Sequence, residues 1–405
     1  MDSRKDKTSN YADGFSTPLT RGKLYNNGAS PWSAELGLGT AAQPLKFSFD
    51  TGSNFIWVTS SLCGDDSCPH AAGGQFQIEE SSTFEWISQD VTSQDFGPWG
   101  TMEVETGEDI FSLSSNGYTI ESDIFLAKEY KSESFEGLVW DGGIGIPSLY
   151  DFSFDASESN ALHIPYRMYS HTPSSDQSPS FTFFPDLLKN NIISPSMPYV
   201  SFLTDEADGS NEVSFGKLNQ DYKDSREYLF LPWDRYSIDS VSYIWTTNLN
   251  SAYIGNTQLN FANENQDFLS LDSGASRFKG DPTMMNQALS LVNKNQEDLI
   301  IKLGESGSNS TEELVVPASV YMVEIEGGED KGKVLPQFEA MAGLDNLALV
   351  GSVLIDHLYT VYEYEVIQVG SEFELKPKGM WIFNKPNGPK IIQKIQDTPA
   401  QIFTN

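Results

Sequence analysis

Two Asp-[Thr/Ser]-Gly turns, each entered from a short apolar strand, constrain this chain more than any other feature of its sequence. Residues 45–60 read LKFSFDTGSNFIWVTS, so Asp50 stands between two apolar runs of strand character. A second apolar run, Phe268 to Leu271, leads into Asp272 in the other half of the chain. Burying an ionised carboxylate costs free energy unless it is hydrogen-bonded or functional, so acids in these positions indicate a site.

The two halves of the chain carry the same features in the same order. Each has an apolar strand, an Asp-[Thr/Ser]-Gly turn and a later apolar strand with a central glycine. With 405 residues and many short alternating runs, the chain is expected to form two β-rich lobes with a cleft between them. The predicted divisions are a polar leader at 1–15, an N-terminal lobe at 16–225, a C-terminal lobe at 226–385 and a C-terminal tail at 386–405.

The charge of the chain argues against two classes of partner. It has 57 acidic and 25 basic residues, which gives a net charge of −32. Such a surface repels nucleic acid phosphates and anionic membranes, so neither is expected as a partner. No stretch approaches the roughly 20 apolar residues that span a bilayer. The polar start carries no signal-peptide region, so we expect a cytoplasmic protein if Met1 is the native start, and a secreted or periplasmic one if the chain is trimmed.

The residues beside the two acids suggest how the turns meet at the floor of the cleft. Gly52 and Gly274 let the two backbones approach closely. The hydroxyls of Thr51 and Ser273 can then hydrogen-bond to the opposite turn. This arrangement places the two acids within a few Å of each other.

A close pair of carboxyls predicts a defined chemistry. Asp50 and Asp272 cannot both ionise easily, so they share one proton. The ionised member can act as general base on a bound water, and the protonated member can donate to a carbonyl oxygen. The predicted reaction is amide hydrolysis with no covalent intermediate, no metal and no cofactor.

The two cysteines of the chain, Cys63 and Cys68, lie in the segment CGDDSC. Four intervening residues allow a small disulfide loop or a free thiol pair. A zinc site is a poorer interpretation, because His70 is the one further ligand nearby and no fourth ligand is evident.

These features together resemble a pepsin-like aspartic protease, and the likeness covers most of residues 16–385. Either acid turn alone is a weak signal, but the motifs occur together in the family's order. The segments that carry the resemblance are Asp50-Thr51-Gly52-Ser53, Trp57, Cys63 and Cys68, Ser81-Ser82-Thr83-Phe84, Asp141-Gly142 with Ile144-Gly145-Ile146, Asp272-Ser273-Gly274, Leu349-Val350-Gly351 and Tyr359-Thr360-Val361-Tyr362.

The resemblance implies a fold, a reaction and a set of roles. The fold is all-β, a bilobal pepsin-like double β-barrel with a central cleft and a few short helices. The reaction is endopeptidase cleavage of polypeptides by a monomer, with Asp50 and Asp272 as the catalytic pair. The implied supporting residues are Thr51, Gly52, Ser53, Ser273, Gly274 and Ala275 in the catalytic turns, Trp57 in the cleft, and Cys63 with Cys68 as a disulfide.

The flap of the first lobe departs from the family pattern. The family carries a tyrosine on this hairpin, and here Phe96 falls at that position. If the chain has one additional residue earlier in the hairpin, Trp99 falls there instead. Phenylalanine has no hydroxyl to bond Trp57, and tryptophan offers only a donor. We expect either ring to cap the substrate by packing, with weaker orientation and slower turnover.

Two further departures concern the second turn and the start of the chain. Ala275 stands where many relatives have Thr or Ser, whereas Ser53 keeps the hydroxyl in the first turn. Losing a donor to Asp272 removes one stabiliser of its ionised form, so we expect a less acidic pH optimum. About 15 residues precede the first family-like strand, so no pro-segment is evident and no zymogen cleavage is expected.

Two other functions compete with peptide hydrolysis. The altered flap favours a non-catalytic pepsin-fold binder or inhibitor, but retention of both acids argues against it. A carbohydrate-active enzyme with two carboxylates has no support from the chemistry of the turns.

Overall fold

The structure is a computed structural model, and it describes residues 11–64, 66–96, 100–113, 117–150, 179, 181–204, 209–305, 307–308, 312–370 and 372–404. Strands dominate these residues, and the helices among them are few and short. No described helix is long and apolar enough to cross a bilayer. Most of the predicted leader, residues 1–10, lies outside the described residues.

The described strands are, in chain order, β1 (Phe15–Arg21), β2 (Trp32–Leu38), β3 (Gln43–Asp50), β4 (Ile56–Thr59), β5 (Glu85–Asp95), β6 (Thr101–Ser112), β7 (Thr119–Tyr130), β8 (Gly142–Gly145), β9 (Tyr199–Leu203), β10 (Glu212–Phe215), β11 (Tyr228–Pro232), β12 (Thr246–Ile254), β13 (Thr257–Leu259), β14 (Asp267–Leu271), β15 (Phe278–Gly280), β16 (Leu299–Leu303), β17 (Glu313–Val316), β18 (Met322–Glu324), β19 (Val334–Pro336), β20 (Phe338–Ala340), β21 (Leu347–Val350), β22 (Leu358–Val369) and β23 (Glu372–Asn384). The described α-helices are α1 (Phe183–Lys189), α2 (Pro282–Val292), α3 (Ala318–Tyr321) and α4 (Ser352–Ile355). Short 3₁₀ turns occupy Ile78–Glu80, Glu133–Gly137, Gln220–Tyr222, Asp239–Val241 and Gln401–Phe403.

The larger sheet has thirteen strands in the order β11-β23-β22-β9-β10-β1-β2-β3-β8-β4-β7-β6-β5. An additional pairing of β2 with β6 closes the strands from β2 to β6 along this path into a barrel. The barrel interior is filled by alternating apolar side chains of the strands, as the period of two in the sequence predicts. Asp50 ends β3 in this barrel.

The second sheet has eight strands. Its path is β17-β16-β12-β14-β21-β15-β20, with β13 paired to β12. The second acid, Asp272, follows β14 near the middle of this sheet. Each acid therefore leaves the end of a buried strand that has neighbours on both sides.

Strands from both predicted lobes share the thirteen-stranded sheet. β9 pairs with β10 on one side and with β22 on the other, and β11 pairs with β23. The lobe boundary between residues 225 and 226 stays a prediction.

A cluster of aromatic rings supports the first acid turn from behind. Phe49, the residue before Asp50, packs against Phe183 of α1 and Phe215 of β10, with ring centroids 5.7 and 5.1 Å away. The sequence predicts a helix at 185–191, and the structure places it two residues earlier. These contacts hold the end of β3 rigidly beneath the cleft.

An aspartate followed by a proline, Asp281-Pro282, predicts the start of a helix after the second acid turn, and α2 begins there. Asp281 caps α2, because its Oδ1 accepts hydrogen bonds from the N–H groups of Thr283 and Met284 at 2.8 and 3.1 Å. Pro282 occupies the first turn, where its missing N–H costs nothing. The helix packs its apolar face on the second sheet and fixes β15, which lines the cleft.

Candidate active site

Both acids are presented by the same arrangement of three strands. In the first half, β8 lies between β3, to which it is parallel, and β4, to which it is antiparallel. In the second half, β21 lies between β14 and β15 with the same directions. Because each acid follows the parallel outer strand of its set, Asp50 and Asp272 occupy equivalent positions in the two halves.

Four hydrogen bonds lock the two turns together. The backbone N–H of Thr51 donates to Ser273 Oγ, and the N–H of Ser273 donates to Thr51 Oγ1, both at 3.0 Å. The hydroxyl of Thr51 donates to the carbonyl of Leu271 at 3.0 Å, and that of Ser273 donates to the carbonyl of Phe49 at 2.7 Å. Both side chains are buried, so these polar groups depend on each other rather than on water.

The turn glycines let each carboxyl lie against the opposite turn. The N–H of Gly52 donates to Asp50 Oδ1 at 2.8 Å, and the N–H of Gly274 donates to Asp272 Oδ1 at 3.0 Å. A Cβ at Gly52 would lie 2.5 Å from the carboxyl carbon of Asp272, and one at Gly274 would lie 2.3 Å from Asp50 Oδ1. A side chain at either glycine would collide with the opposite carboxyl, so the two glycines allow each carboxyl to lie against the other turn.

The environment of the pair disfavours a double negative charge. Asp50 is half-buried and Asp272 is 9% exposed. Burial raises the pKa of Asp272 well above its usual range, and the neighbouring charge of Asp50 and a hydrogen bond between the two carboxyls raise it further. The ammonium of Lys279 and the N–H of Gly274 oppose this rise in the pKa of Asp272. This environment favours the protonated form of Asp272 beside Asp50.

Ser53 and Ala275 follow the two glycines. Ser53 lines the cleft with its hydroxyl side chain half-buried. Ala275 is 2% exposed, and its backbone N–H donates to Asp272 Oδ1 at 3.2 Å. Its methyl group offers no hydroxyl, so the second carboxyl receives backbone donors alone from its turn.

The cleft above the pair is a cavity of about 370 Å³. Its walls carry mostly apolar side chains from the second half of the chain, and it opens over both acids. The apolar side chains of the walls are Phe55, Phe96, Ile238, Val241, Tyr243, Ile244, Ala275, Ala340, Met341, Ala342, Leu344 and Leu349. A site of this kind suits a ligand with apolar side chains.

The flap is the hairpin of β5 and β6, and Phe96 lies directly after β5 on the cleft side. The N–H of Phe96 donates to the carbonyl of Gly100 at 2.9 Å. Its ring packs edge-on against Trp57 and Phe55, with centroids 5.6 and 5.2 Å away. Phe96 therefore occupies the place at which the sequence puts a flap aromatic, whereas Trp99 lies outside the described residues.

The cysteine pair forms a disulfide between Cys63 and Cys68, with an S–S distance of 2.05 Å, which confirms the prediction. His70 does not join a metal site with the sulfurs. Its Nε2 lies 3.0 Å from Asp141 Oδ1, and its Nδ1 lies 3.0 Å from the carbonyl of Cys68. Among the described residues, no group of three or more potential ligand side chains could hold a metal ion.

Sequence reasoning missed a charged residue in the cleft, Lys279. It belongs to the three-residue strand β15, lines the cavity and is 5% exposed. The one local signal is a lysine next to Phe278 shortly after the second acid turn, and this signal does not by itself place the side chain in the cleft. Asp95, at the end of β5, also lines the cavity.

The chain matches known proteins over most of its length. The family model of eukaryotic aspartyl protease matches residues 32–372. Pepsin A of Bos taurus is 24% identical over 377 residues, which cover 89% of each chain, and pepsin-3 of Oryctolagus cuniculus is 26% identical over 351 residues, which cover 83% of this chain and 79% of the relative. Aspartic protease 3 of Toxoplasma gondii is 25% identical over 264 residues, which cover 61% of this chain and 34% of that protein.

Proposed function

This chain belongs to the eukaryotic aspartyl protease family, and on that premise we propose that it is an endopeptidase in which Asp50 and Asp272 activate a water to hydrolyse peptide bonds. Family membership supports peptide hydrolysis in general as the reaction class and polypeptides as the substrates. It also confirms the mostly β, bilobal pepsin-like fold that the sequence predicts. The roles of the individual residues are our proposal.

The observation that carries this proposal is the pairing of two carboxyls across turns that lock each other in place. The mutual hydrogen bonds of Thr51 and Ser273 fix the backbone, and the glycines allow contact. Because burial raises the pKa of Asp272, we assign the shared proton to Asp272 in the resting site. Asp50 is then the ionised member.

The proposed reaction follows from that protonation state. Asp50 takes a proton from a water held between the carboxyls while the water oxygen attacks the peptide carbonyl carbon. Asp272 gives its proton to the carbonyl oxygen, so no oxyanion has to exist without a partner. The tetrahedral diol then breaks its C–N bond as the proton on Asp50 passes to the departing nitrogen. One hydroxyl of the diol returns its proton to Asp272, which restores the pair.

The cleft supports an extended peptide with apolar side chains as the substrate. Its walls are apolar, and the flap strand β5 ends at the cavity. An extended peptide can hydrogen-bond to flap backbone as an added strand while its side chains fill the cavity. Phe96 would cover the peptide from the flap side through packing alone.

One observation favours the rival, a non-catalytic binder of the same fold. Phe96 cannot supply the hydroxyl that the family's flap tyrosine carries. If that loss abolished catalysis, the cleft would bind a peptide without cleaving it. The retained carboxyl pair argues against this rival, because a binding protein does not need two paired carboxyls.

Cleavage of unfolded casein between about pH 3 and pH 6 tests the proposal. We expect the unsubstituted protein to cleave casein, and Asp50→Asn and Asp272→Asn each to lose on the order of 10³-fold in rate. Asp224→Asn is the matched control, since Asp224 is exposed and remote from the cleft. A statine-type peptide should block the activity.

The outcomes separate the two functions. Cleavage that survives either substitution in the pair would refute the assigned roles. A folded protein that binds the statine-type peptide but never cleaves casein would instead establish the binder. Thermal unfolding of each variant shows that it is folded.

A further inference from the structure

The cleft contains a buried lysine that neither the family motif nor the proposed mechanism uses. In β15, Phe278 points into the core and is 0% exposed, so the next side chain, Lys279, points to the opposite face of the strand. That face is the cleft wall, and Lys279 lines the same cavity as both acids. Burying an ammonium is costly unless anionic groups surround it.

The strands on both sides of β15 show what surrounds the lysine. Leu349 of β21 and Glu339 of β20 are its direct register partners, so all three side chains share one face. Leu349 is apolar and also lines the cavity. Glu339 carries a carboxylate whose Oε2 lies 3.2 Å from Nη1 of Arg277.

A fourth segment closes over the ammonium. The carbonyl of Gly28 accepts a hydrogen bond from the N–H of Ser276 at 2.9 Å, which holds this segment beside the second acid turn. A Cβ at Gly28 would lie 3.1 Å from Lys279 Nζ. The ammonium is thus confined by the wall of the site rather than extended into solvent.

Charges of both signs face Lys279 from the elements packed around it. They are Asp272 at the end of β14, Asp50 at the end of β3, Glu339 on β20 and Arg277 beside β15. With one proton shared by the pair, two negative charges balance two positive ones. Removing the lysine charge would leave these five side chains with a net charge of −1. Asp95, which lines the cavity from the flap, would add to that imbalance.

We propose that Lys279 is a positioning residue of the catalytic pair, whose ammonium favours the ionised form of both carboxyls and so keeps the pair singly ionised at working pH. The inference rests on the proposed function of the pair. Without a counter-charge, burial would push the pair towards its doubly protonated, inactive form. Lys279 performs for the second carboxyl the stabilising task that a hydroxyl at the position of Ala275 would otherwise share.

Lysine and acid stabilise each other's charged forms. Burial lowers the pKa of Lys279, whereas the carboxylates of Glu339 and Asp272 raise it. The lysine in turn opposes the rise in the pKa of Asp272. The alternative is a purely structural role, in which Lys279 serves only as an ion-pair partner of Glu339. Its removal would then alter the stability of the protein without moving the pH profile of catalysis.

The test is the pH profile of kcat/KM for Lys279→Met, Lys279→Arg and the unsubstituted enzyme. We expect the acidic limb of Lys279→Met to move to higher pH by about one unit, since a nearby unit charge in a partly buried site acts with that strength. Lys279→Arg keeps the charge and should keep the limb. Lys394→Met removes an exposed lysine that pairs with Glu312 far from the cleft, and should leave the limb in place. A limb that stays within about 0.2 unit in an active Lys279→Met enzyme overturns the proposal.

A second readout does not depend on activity. A carboxyl whose pKa is raised by folding stabilises the folded protein at low pH, and this contribution disappears as pH rises through the raised pKa. Over that range the unsubstituted protein should therefore lose stability relative to Asp272→Asn, which has no carboxyl to titrate at this position. In the Lys279→Met background the loss should extend to higher pH. If the pH range of the stability loss is the same in the Lys279→Met background, the inference fails, whether or not the protein is active. If the range moves but casein is not cleaved, the proposed function fails and the electrostatic role of Lys279 stands. If Lys279→Met does not fold, Lys279→Gln replaces it in both measurements.

Discussion

The locked turns predict an unequal response to the loss of their two hydroxyls. In Thr51→Val the N–H of Ser273 loses its acceptor, but the carbonyl of Leu271 keeps a second donor, the hydroxyl of Tyr362 at 3.2 Å. In Ser273→Ala the N–H of Thr51 loses its acceptor and the carbonyl of Phe49 loses its donor. The first change therefore leaves one buried group without a partner, and the second leaves two.

The magnitudes follow from that count. A buried donor or acceptor left unsatisfied costs about 1–3 kcal/mol. We expect Thr51→Val to lower the free energy of unfolding by about 1–3 kcal/mol and Ser273→Ala by about 2–6 kcal/mol. The double variant should cost close to the sum, because each of the four hydrogen bonds involves only one of the two hydroxyls, so the two changes break different bonds.

Urea unfolding followed by circular dichroism measures these values. Ser276→Ala is the matched control, since Ser276 is buried in the same turn and its hydroxyl has no hydrogen-bond partner among the described residues. It should cost close to nothing. Equal costs for Thr51→Val and Ser273→Ala would refute the hydrogen-bond assignments on which the count of unsatisfied groups rests.

Three further changes test the cleft. Ala275→Thr adds a hydroxyl donor beside Asp272, which lowers the pKa of that acid, so the alkaline limb of the pH–rate profile, where Asp272 loses its proton, should move down by about half a unit; an unmoved limb contradicts the role given to this position. Phe96→Tyr restores a hydroxyl beside Trp57, and kcat/KM should rise by about two- to tenfold with thermal stability unchanged, whereas a fall would show that the ring does not cap the substrate. Gly52→Ala forces a Cβ to 2.5 Å from the Asp272 carboxyl, so casein cleavage should fall by on the order of 10²-fold in a folded protein, and retained activity would place the pair elsewhere.

The sequence predicts the local parts of this molecule well. The pattern of residues 32–38 predicts a strand, and these residues form β2. The helix that begins at Pro282 is capped by Asp281, as its sequence indicates. These features depend on alternation and capping, which neighbouring residues determine. The meeting of Asp50 and Asp272 could be predicted as well, because each turn carries the glycine and hydroxyl that the contact needs.

The parts that escaped prediction depend on distant partners. Nothing local to Lys279 reveals that Glu339 becomes its neighbour across β15, and so its place in the cleft could not be derived. Likewise, the pairing of β9 with β22 joins residues about 160 positions apart. Apolar alternation predicts that such strands exist but leaves open which edge each one joins.

The pairing of β9 with β22 also determines how the molecule responds to proteolytic cleavage of the chain. Five consecutive residue pairs, from Tyr199↔Glu363 to Leu203↔Tyr359, join the first half of the chain to the second. A protease that nicked the exposed connection near Lys223 would sever the polypeptide but not this ladder, and the two pieces would travel together through a sizing column. If the two fragments were expressed separately, each would expose an unpaired strand edge and be prone to aggregate.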